Sequence, residues 1–420
     1  MRNSNHLSKP KEVSSRIGIV FGLWIGVEYA VVIGVRILGG SKSEGALNIF
    51  ALVAAIIWPL LYFLIGKHSL TPSRIRGGTF FALAVFLLFC LLSSFMSPIG
   101  LYSSAFFGLT LISIWISLNF ISAMDGPQFE TGLKIYAIII TAVLVAFAWY
   151  DYVPGTRLGN GKEILNPNSI GVITISAALA AMAIRNWLLR YGLIVMVFGI
   201  IYLTGSRSAA ISSLLGLAII GYERTRTGKN TLRLFMALGS LLVFAVLLIF
   251  WKTLWPLIDG FLQLHSESRG IGSGATGRTE AWLLTWRLFL ENPVLGIGFR
   301  AHDNVLGGSS HNGYLASLAE IGLIGFTALL YLLFSGAFLL WRKARETGWT
   351  FSHSILFGLC CSNLFLAIFE RYLINVGNPT SLLFLVSILA PVLTPPRKKR
   401  KRPAVMDARN MEKHQQAAYR

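Results

Sequence analysis

Charged residues are scarce in this 420-residue chain. They make up 13% of the sequence, while 54% of the residues are hydrophobic. A typical soluble domain is about 25% charged, so half that share is too small to cover a soluble surface. The composition therefore excludes soluble multidomain enzymes, secreted disulfide scaffolds and disordered proteins.

Cysteine is rare as well. The three cysteines, Cys90, Cys360 and Cys361, all lie in apolar runs, and two of them are adjacent. They can build neither a disulfide framework nor a CxxC metal pair, so we interpret them as small hydrophobic residues packed between helices. The chain also lacks a Walker loop and a GxGxxG fingerprint after a strand, and it therefore predicts no nucleotide cofactor.

Long apolar runs dominate what is present. Runs of roughly 15–25 residues are long enough to cross a bilayer core of about 30 Å. We predict an all-α polytopic membrane protein with about 12 transmembrane helices. The apolar segments are roughly 17–38, 46–66, 78–96, 105–122, 135–150, 168–184, 191–204, 208–222, 234–251, 318–341, 352–369 and 379–394.

The charges between these segments predict the orientation. With the N-terminus in the cytoplasm, the cytoplasmic loops hold 26 of the 37 Lys and Arg residues and 7 of the 18 Asp and Glu residues. That face carries the entire net charge of +19, as the positive-inside rule requires. Both termini are therefore predicted to be cytoplasmic. The basic tail PPRKKRKRP directly follows the last helix, so it predicts an anchor on anionic membrane lipids rather than a nucleic-acid site.

The predicted organisation leaves one large polar segment facing outward. We divide the chain into a cytoplasmic N-terminus (1–16), helices 1–9 (17–251), a helical periplasmic segment (252–317), helices 10–12 (318–394) and a basic cytoplasmic tail (395–420). Two lesser outward features are the loop 151–168 and the turn 204–208. Any chemistry is therefore expected at the outer face.

Two outward arginines predict an anion site. Arg207 lies in TGSRS, between two apolar segments joined by almost no loop, and Arg278 lies where a glycine-rich stretch runs into a helix start near 276–279. A guanidinium matches phosphate oxygens with a rigid fork of donors, and a helix N-terminus also favours anions. The alternative is that both arginines only anchor the protein at the membrane surface. The following AWLLTWRLFL, with Trp282 and Trp286 one turn apart, predicts an interfacial amphipathic helix.

His311 is the candidate general base. Ser309 or Ser310 is a plausible N-cap, which would place His311 in the first turn of a helix. The helix dipole and nearby arginines would disfavour imidazolium, and a neutral imidazole can accept a proton. A purely structural histidine is the alternative.

The remaining outward polar residues are weaker candidates. His265, His302, Asp303 and Glu280 share the outer segment, but they have no ligand spacing comparable with HExxH, so we predict no metal site. The secondary site candidates are Arg157, Asn168, Asn312, Glu280, Glu370 and Arg371.

Three pieces of sequence resemble one superfamily. They are TGSRSA, GRTEAW followed by NPVLGIGF, and SHNGYLASLAEIGLIG, which fits the pattern His-Asn-x9-Gly-x-x-Gly with His311, Asn312, Gly322 and Gly325 in place. In this order, they resemble the outer-face ligases and polymerases of lipid-linked oligosaccharides, the O-antigen ligases and O-antigen polymerases. The resemblance is specific over roughly residues 165–330.

The resemblance implies a reaction. It implies metal-independent, inverting glycosyl transfer at the periplasmic face of the bacterial inner membrane, in lipopolysaccharide biosynthesis. The donor would be a glycan on undecaprenyl pyrophosphate, and the acceptor would be a sugar hydroxyl of lipid A–core. Arg207 and Arg278 would bind the pyrophosphate, and His311 would deprotonate the acceptor.

Two other functions stay open at this stage. A polymerase would use the same donor, although the His-Asn pattern favours a ligase and a polymerase-type Arg-x10-Gly spacing is absent from Arg157, Arg207 and Arg278. A protein-glycosylating ligase of the superfamily is usually larger. A small-molecule transporter would place polar residues near the membrane midplane, and Glu28 and Arg36 in the first apolar run are the only features that favour it.

Overall fold

The computed structural model describes residues 13–39, 46–65, 77–162, 164–227, 256, 278–347 and 351–392. All regular elements within these ranges are helices, which confirms the all-α class for this part of the chain. Residues 1–12 of the predicted N-terminal segment, the ninth predicted apolar segment, the outer-segment residues 252–255 and 257–277, which include His265, and the basic tail lie outside the described residues.

A helix lies at each predicted apolar segment that falls within these ranges. The helices, numbered here in chain order, are α1 (Val13–Gly39), α2 (Ala46–Ile65), α3 (Gly77–Met96), α4 (Gly100–Ala123), α5 (Gly126–Asp151), α6 (Pro167–Ala181), α7 (Trp187–Thr204), α8 (Arg207–Thr227), α9 (Arg278–Glu291), α10 (His302–Leu306), α11 (Gly313–Thr347), α12 (Phe351–Leu366) and α13 (Pro379–Leu389). A short 3-10 turn, Ala390–Val392, follows α13.

Six of the described helices are long and apolar enough to cross a membrane, which indicates a multi-pass membrane protein. These spans are Arg16–Leu38, Gly78–Met96, Gly100–Ala123, Gly126–Asp151, Trp187–Thr204 and Gly313–Glu346. Four further apolar helices are shorter, namely Ala51–Ile65, Pro167–Ala181, Ser352–Leu366 and Pro379–Leu389. The number of twelve spans and the side on which the termini lie stay predictions.

Helices α6 and α13 form the centre of the bundle. Both begin with Asn-Pro, in which the asparagine side chain caps the helix and proline occupies the first turn, where its missing N–H costs nothing. Almost every side chain of the two helices is buried. The hydroxyl of Ser176 in α6 lies 2.6 Å from that of Tyr136 in α5 and 2.6 Å from that of Thr380 in α13. These polar contacts fix the two central helices relative to their neighbours.

Helix α11 is broken at Gly322, and the break holds the NPVLGIG segment. Gly322 has φ 67° and ψ −179°, so the helical hydrogen-bond ladder is interrupted there. The N–H of Ile297 donates to the carbonyl of Ala319 at 2.9 Å, and the N–H of Leu323 donates to the carbonyl of Pro293 at 2.8 Å. A Cβ at Gly322 would lie 2.1 Å from the carbonyl oxygen of Val294. The glycine in the recognised pattern is thus required by backbone packing.

Helix α9 lies across α11 with one apolar face covered and another exposed. It begins at Arg278, as expected, and ends before the Asn-Pro of the NPVLGIG segment. Phe289 packs against Leu318 and Ala319 of α11. Four large apolar side chains of α9 are exposed, namely Leu283, Leu284, Trp286 and Leu290. An exposed apolar face on a helix that also carries charges is the pattern predicted for a helix in the membrane interface.

Candidate functional site

Most of the predicted site residues meet at one end of the bundle. Arg157 lies in the loop between α5 and α6, Asn168 is in the first turn of α6, and Arg278 begins α9. His311 precedes α11, and Glu370 follows α12. Hydrogen bonds connect all five side chains, so the candidate site draws on five separate chain segments.

Glu370 is the centre of this network. Its side chain is buried. One carboxylate oxygen, Oε1, accepts hydrogen bonds from Asn168 Nδ2 at 3.0 Å and from Arg278 Nη2 at 3.1 Å. The other oxygen, Oε2, lies 3.3 Å from His311 Nδ1. A buried carboxylate is stable only when it is paired and hydrogen-bonded, and these three partners meet that need. A residue predicted only as a secondary candidate therefore organises the site.

His311 adopts a conformation that the sequence analysis did not predict. It lies two residues before α11, and its backbone φ is 49°, in the left-handed region. Asn312 caps the helix, because its Oδ1 accepts hydrogen bonds from the N–H groups of Tyr314 and Leu315, each at 3.0 Å. The expectation of a serine N-cap with His311 in the first turn was therefore wrong. Left-handed non-glycine residues are often found at functional sites.

The surroundings of the His311 ring also differ from the expectation. We expected arginines around it, but the charged group in contact with the ring is the Glu370 carboxylate. An Nδ1–H that donates to this carboxylate leaves the lone pair of Nε2 to accept a proton. The side chain is 31% exposed, so a substrate hydroxyl can reach it. A carboxylate-oriented, accessible imidazole is suited to general-base chemistry.

Arg157 connects the loop before α6 to the turn that carries Arg207. Its Nε donates to the carbonyl of Thr204 at 2.6 Å, and its Nη2 donates to Asn168 Oδ1 at 3.0 Å. Thr204 ends α7, and Gly205, in the left-handed region, forms the tight turn into α8. Arg207, the first residue of α8, therefore lies at the same end of the bundle as Glu370.

The loop that presents Arg157 is folded around Asp151. The Asp151 carboxylate is completely buried at the end of α5. It accepts hydrogen bonds from the N–H groups of Gly159 at 2.6 Å and Lys162 at 3.0 Å. A buried carboxylate held by backbone donors gives the loop one defined conformation. Arg157 is thereby held in place by the fold of its own loop and by its side-chain contacts with Thr204 and Asn168.

A second polar cluster lies beside Glu370 and consists of His302, Asp303, Glu320 and Arg371; we call it the His302 cluster. Arg371 pairs with both carboxylates. His302 is fully buried, with Nδ1 2.8 Å from Glu320 Oε1 and Nε2 2.9 Å from Asp303 Oδ1. Burial raises the pKa of the Asp303 carboxyl, but contact with His302 and the Arg371 guanidinium outweighs burial and leaves the pKa below its usual value.

The His302 cluster contains or contacts a chain neighbour of both Glu370 and His311. Arg371 directly follows Glu370 in the chain. The N–H and the hydroxyl of Ser310, next to His311, point to His302 Nε2 at 3.4 and 3.3 Å. Sequence reasoning considered His302 only as a metal ligand and missed Glu320. The one available signal for Glu320 was an acidic residue inside an apolar run.

The other candidates have more limited contacts. Asn312 has the capping role described above, and Glu280 is exposed in the first turn of α9. Among the described residues, no group of three or more His, Cys, Asp and Glu side chains could hold a metal ion.

Two cavities open beside the network. The small cavity, about 140 Å³, is lined by His311, Glu370 and Arg371 among others. The large cavity, about 360 Å³, adjoins it and is lined by Arg36, Arg300 and Arg371 among others. Their shared wall consists of Ser169, Arg300, Asp303, Arg371, Tyr372 and Asn375.

The fold and the site together define a multi-pass membrane protein with a charged, accessible site at one end of its helices. Residues 192–330 match the family model described as O-antigen ligase. This match supports membership of the superfamily of O-antigen ligases and polymerases, and it includes the motifs of Arg207, Arg278 and His311. No protein of curated function matches the chain.

Proposed function

We propose that the protein is an inverting, metal-independent glycosyltransferase of the O-antigen ligase type. It transfers a glycan from undecaprenyl pyrophosphate to a sugar hydroxyl of lipid A–core at the periplasmic face of the bacterial inner membrane. The family match supports the choice of superfamily. The observation that carries the proposal is the contact of His311 Nδ1 with the buried Glu370 carboxylate, which also binds Arg278.

The acceptor is activated by His311. Nε2 takes the proton of the acceptor hydroxyl while the hydroxyl oxygen attacks the anomeric carbon of the donor sugar. The bond between that carbon and the pyrophosphate oxygen breaks on the opposite face, and the bonding pair leaves with the pyrophosphate. Glu370 then stabilises the imidazolium, because its carboxylate accepts the Nδ1–H hydrogen bond.

The leaving group is stabilised by Arg278 and Arg207. Pyrophosphate already carries negative charge, so preorganised guanidinium groups can stabilise the further charge that develops on its oxygen. Arg278 binds Glu370 with one Nη, and a guanidinium has five N–H donors in total. The Arg278 side chain is 19% exposed, so a phosphate can approach its other donors. Arg157 and Asn168 act as positioning residues that hold Glu370.

The test is turnover of purified protein with lipid-linked glycan and lipid A–core. His311→Ala should lose about 10²–10⁴-fold in turnover, the usual contribution of a positioned base, while donor binding is retained. EDTA should leave the wild-type rate unchanged. Near-normal turnover of the variant would contradict the role of His311 as the base. Chelator sensitivity that a divalent ion reverses would contradict the metal-independent mechanism.

A polymerase is the second candidate, because it would use the same donor and belongs to the same superfamily. The His-Asn-x9-Gly-x-x-Gly pattern favours the ligase. The products separate the two functions in the same assay. A ligase adds one glycan block to lipid A–core, whereas a polymerase lengthens the lipid-linked glycan into a ladder without any core acceptor.

A further inference from the structure

The large cavity adjoins the space in front of the proposed base. Its volume of about 360 Å³ lies at the small end of the range for small-molecule sites. Arg300, Arg371 and Tyr372 line both this cavity and the small cavity that contains His311. A group bound in the large cavity would therefore lie next to a substrate that reacts at His311.

The lining of the large cavity is rich in positive charge. It includes three guanidinium groups, from Arg36, Arg300 and Arg371, and one carboxylate, from Asp303. Arg371 is compensated by its ion pairs with Asp303 and Glu320. The lining therefore has more guanidinium groups than carboxylates, and guanidinium groups bind carboxylate and phosphate with paired hydrogen bonds.

The Arg300 guanidinium is not fully hydrogen-bonded. Its Nε is buried without a hydrogen-bond partner, as is that of Arg371, and such a group costs free energy unless a ligand supplies an acceptor. Burial lowers the pKa of its guanidinium, and neighbouring Arg371 lowers it further. The guanidinium carbon lies 5.6 Å from the centre of the Phe106 ring.

The backbone at Arg300 is strained as well. Its φ is 63°, in the left-handed region that disfavours residues with a side chain. The preceding turn is fixed by Gly298, where a Cβ would lie 2.3 Å from Ser97 Oγ. A strained, half-buried, incompletely bonded arginine on the wall of a cavity is a feature of binding sites rather than of structural cores.

The rest of the lining suits a sugar. Amide groups of Asn304, Asn375 and Asn378 and the phenol of Tyr372 can hydrogen-bond to sugar hydroxyls, and the lining includes the aromatic residues Tyr102 and Phe106. Neither Arg207 nor Arg278 lines either cavity. The large cavity is therefore separate from the arginines assigned to the pyrophosphate.

We propose that the large cavity binds an acidic sugar of the acceptor, one that bears a carboxylate or a phosphate near the reacting hydroxyl. The inference rests on the proposed function, because inversion requires the acceptor hydroxyl, next to His311, to attack the anomeric carbon from the face opposite the leaving pyrophosphate. Arg300 and Arg36 pair with the anionic group, and the amides bind the sugar ring.

The experiment compares three soluble probes in detergent-purified full-length protein. They are methyl β-glucuronoside, glucose 6-phosphate and the neutral methyl β-glucoside. Each is tested for thermal stabilisation of the protein and for inhibition of transfer. We expect both anionic probes to bind at least about tenfold more tightly than the neutral probe, the range for charge-assisted hydrogen bonds. We expect both to compete with the acceptor and not with the donor.

Variants test whether the preference for anionic probes arises in the large cavity. Arg300→Met and Arg36→Gln should each remove the preference for the anionic probes; the second variant lies in helix α1 and keeps the proposal testable if the strained position 300 does not tolerate methionine. Arg342→Met is the matched control, because Arg342 pairs with Glu346 on the exposed far end of α11 and should leave the preference unchanged.

Each outcome decides between the two proposals. Equal binding of charged and neutral probes, or the same loss in the Arg342 control, would overturn the anionic subsite. Competition with the donor alone would overturn its assignment to the acceptor. Charge-dependent stabilisation in a protein that transfers no glycan would overturn the proposed function while supporting the anion-binding cavity.

Discussion

At the scale of single residues, the candidate site depends most on the carboxylate of Glu370. It is bound by Asn168, Arg278 and His311, which come from three other chain segments. These contacts give it two separable effects. A carboxylate next to Nδ1 favours the His311 tautomer with the proton on that nitrogen and orients the ring, and the same carboxylate holds Arg278 beside His311.

Replacing Glu370 with glutamine should reduce turnover by about 10²–10⁴-fold. The amide keeps the size of the side chain but removes the negative charge that orients Nδ1–H and stabilises imidazolium. Turnover and its pH profile are the measurements. Glu346→Gln, which changes an exposed carboxylate at the far end of α11, is the control and should keep the wild-type rate. An unchanged pH profile in the Glu370 variant would contradict its role in orienting His311.

Arg278→Ala and Arg207→Ala should both abolish transfer without unfolding the protein. Under the proposed function, each change removes a guanidinium that stabilises the leaving pyrophosphate. Lysine at either position should rescue poorly, because an ammonium group cannot make the paired hydrogen bonds of a guanidinium. Turnover is measured beside the thermal midpoint of each variant. Full activity of an alanine variant would exclude that arginine from the site.

At the scale of the element, the break in α11 is the decisive feature. Gly322 ends a short helix that begins after His311 and carries Glu320 of the His302 cluster. The segment that contacts this break leads directly to Arg300 and His302. The break at Gly322 thus connects helix α11 to both the Glu370 network and the His302 cluster.

Gly322→Ala should destabilise the protein by a few kcal/mol, on the order of other clashes in packed cores, and should lower transfer strongly. The new Cβ would lie 2.1 Å from the Val294 carbonyl oxygen, in a backbone conformation that alanine disfavours. Gly199→Ala is the matched control. Its Cβ would meet nothing within 4 Å, and alanine in a helix is more stable than glycine by roughly 1 kcal/mol. Equal thermal midpoints for the two variants would refute the proposed importance of the break.

At the scale of the whole molecule, we predict the side of the membrane on which each end of α11 lies. Asn304 lies by the site, and Glu346 lies in the last turn of α11, at the far end of its candidate membrane span; both are exposed. The charge distribution of the loops predicts that the site lies outside and that the end of α11 lies in the cytoplasm. A membrane-impermeant thiol reagent applied from the periplasmic side should therefore label Asn304→Cys and spare Glu346→Cys. Labelling of both from one side would refute the topology, and the wild-type chain is the control for its three native cysteines.

Sequence and structure agree where one-dimensional patterns decide the outcome. Apolar runs are sufficient to locate helices, because each helix needs only its own length and hydrophobicity. The positions of Arg207, Arg278 and His311 near chain turns were also readable from local glycine and polar residues. These features depend on a few neighbouring residues.

The contacts that organise the site could not be predicted in this way. Glu370 binds partners 59, 92 and 202 residues away, and no local pattern distinguishes it from an ordinary charge at a helix end. His311 is left-handed and lies outside the helix because Asn312, and not Ser309 or Ser310, is the N-cap residue of α11. Arg300 was missed because its position on the cavity wall follows from tertiary packing and not from its sequence context.

The exposed apolar face of α9 predicts the height of the site. Insertion of Leu283, Leu284, Trp286 and Leu290 into the membrane interface would hold Arg278, at the start of this helix, at the level of lipid phosphates. A lipid-linked donor diffuses in two dimensions and carries its pyrophosphate at that same level, whatever the length of its glycan. Under the proposed function, the enzyme therefore meets only the sugar next to the anchor, and a long glycan extends away from the membrane without contacting the site.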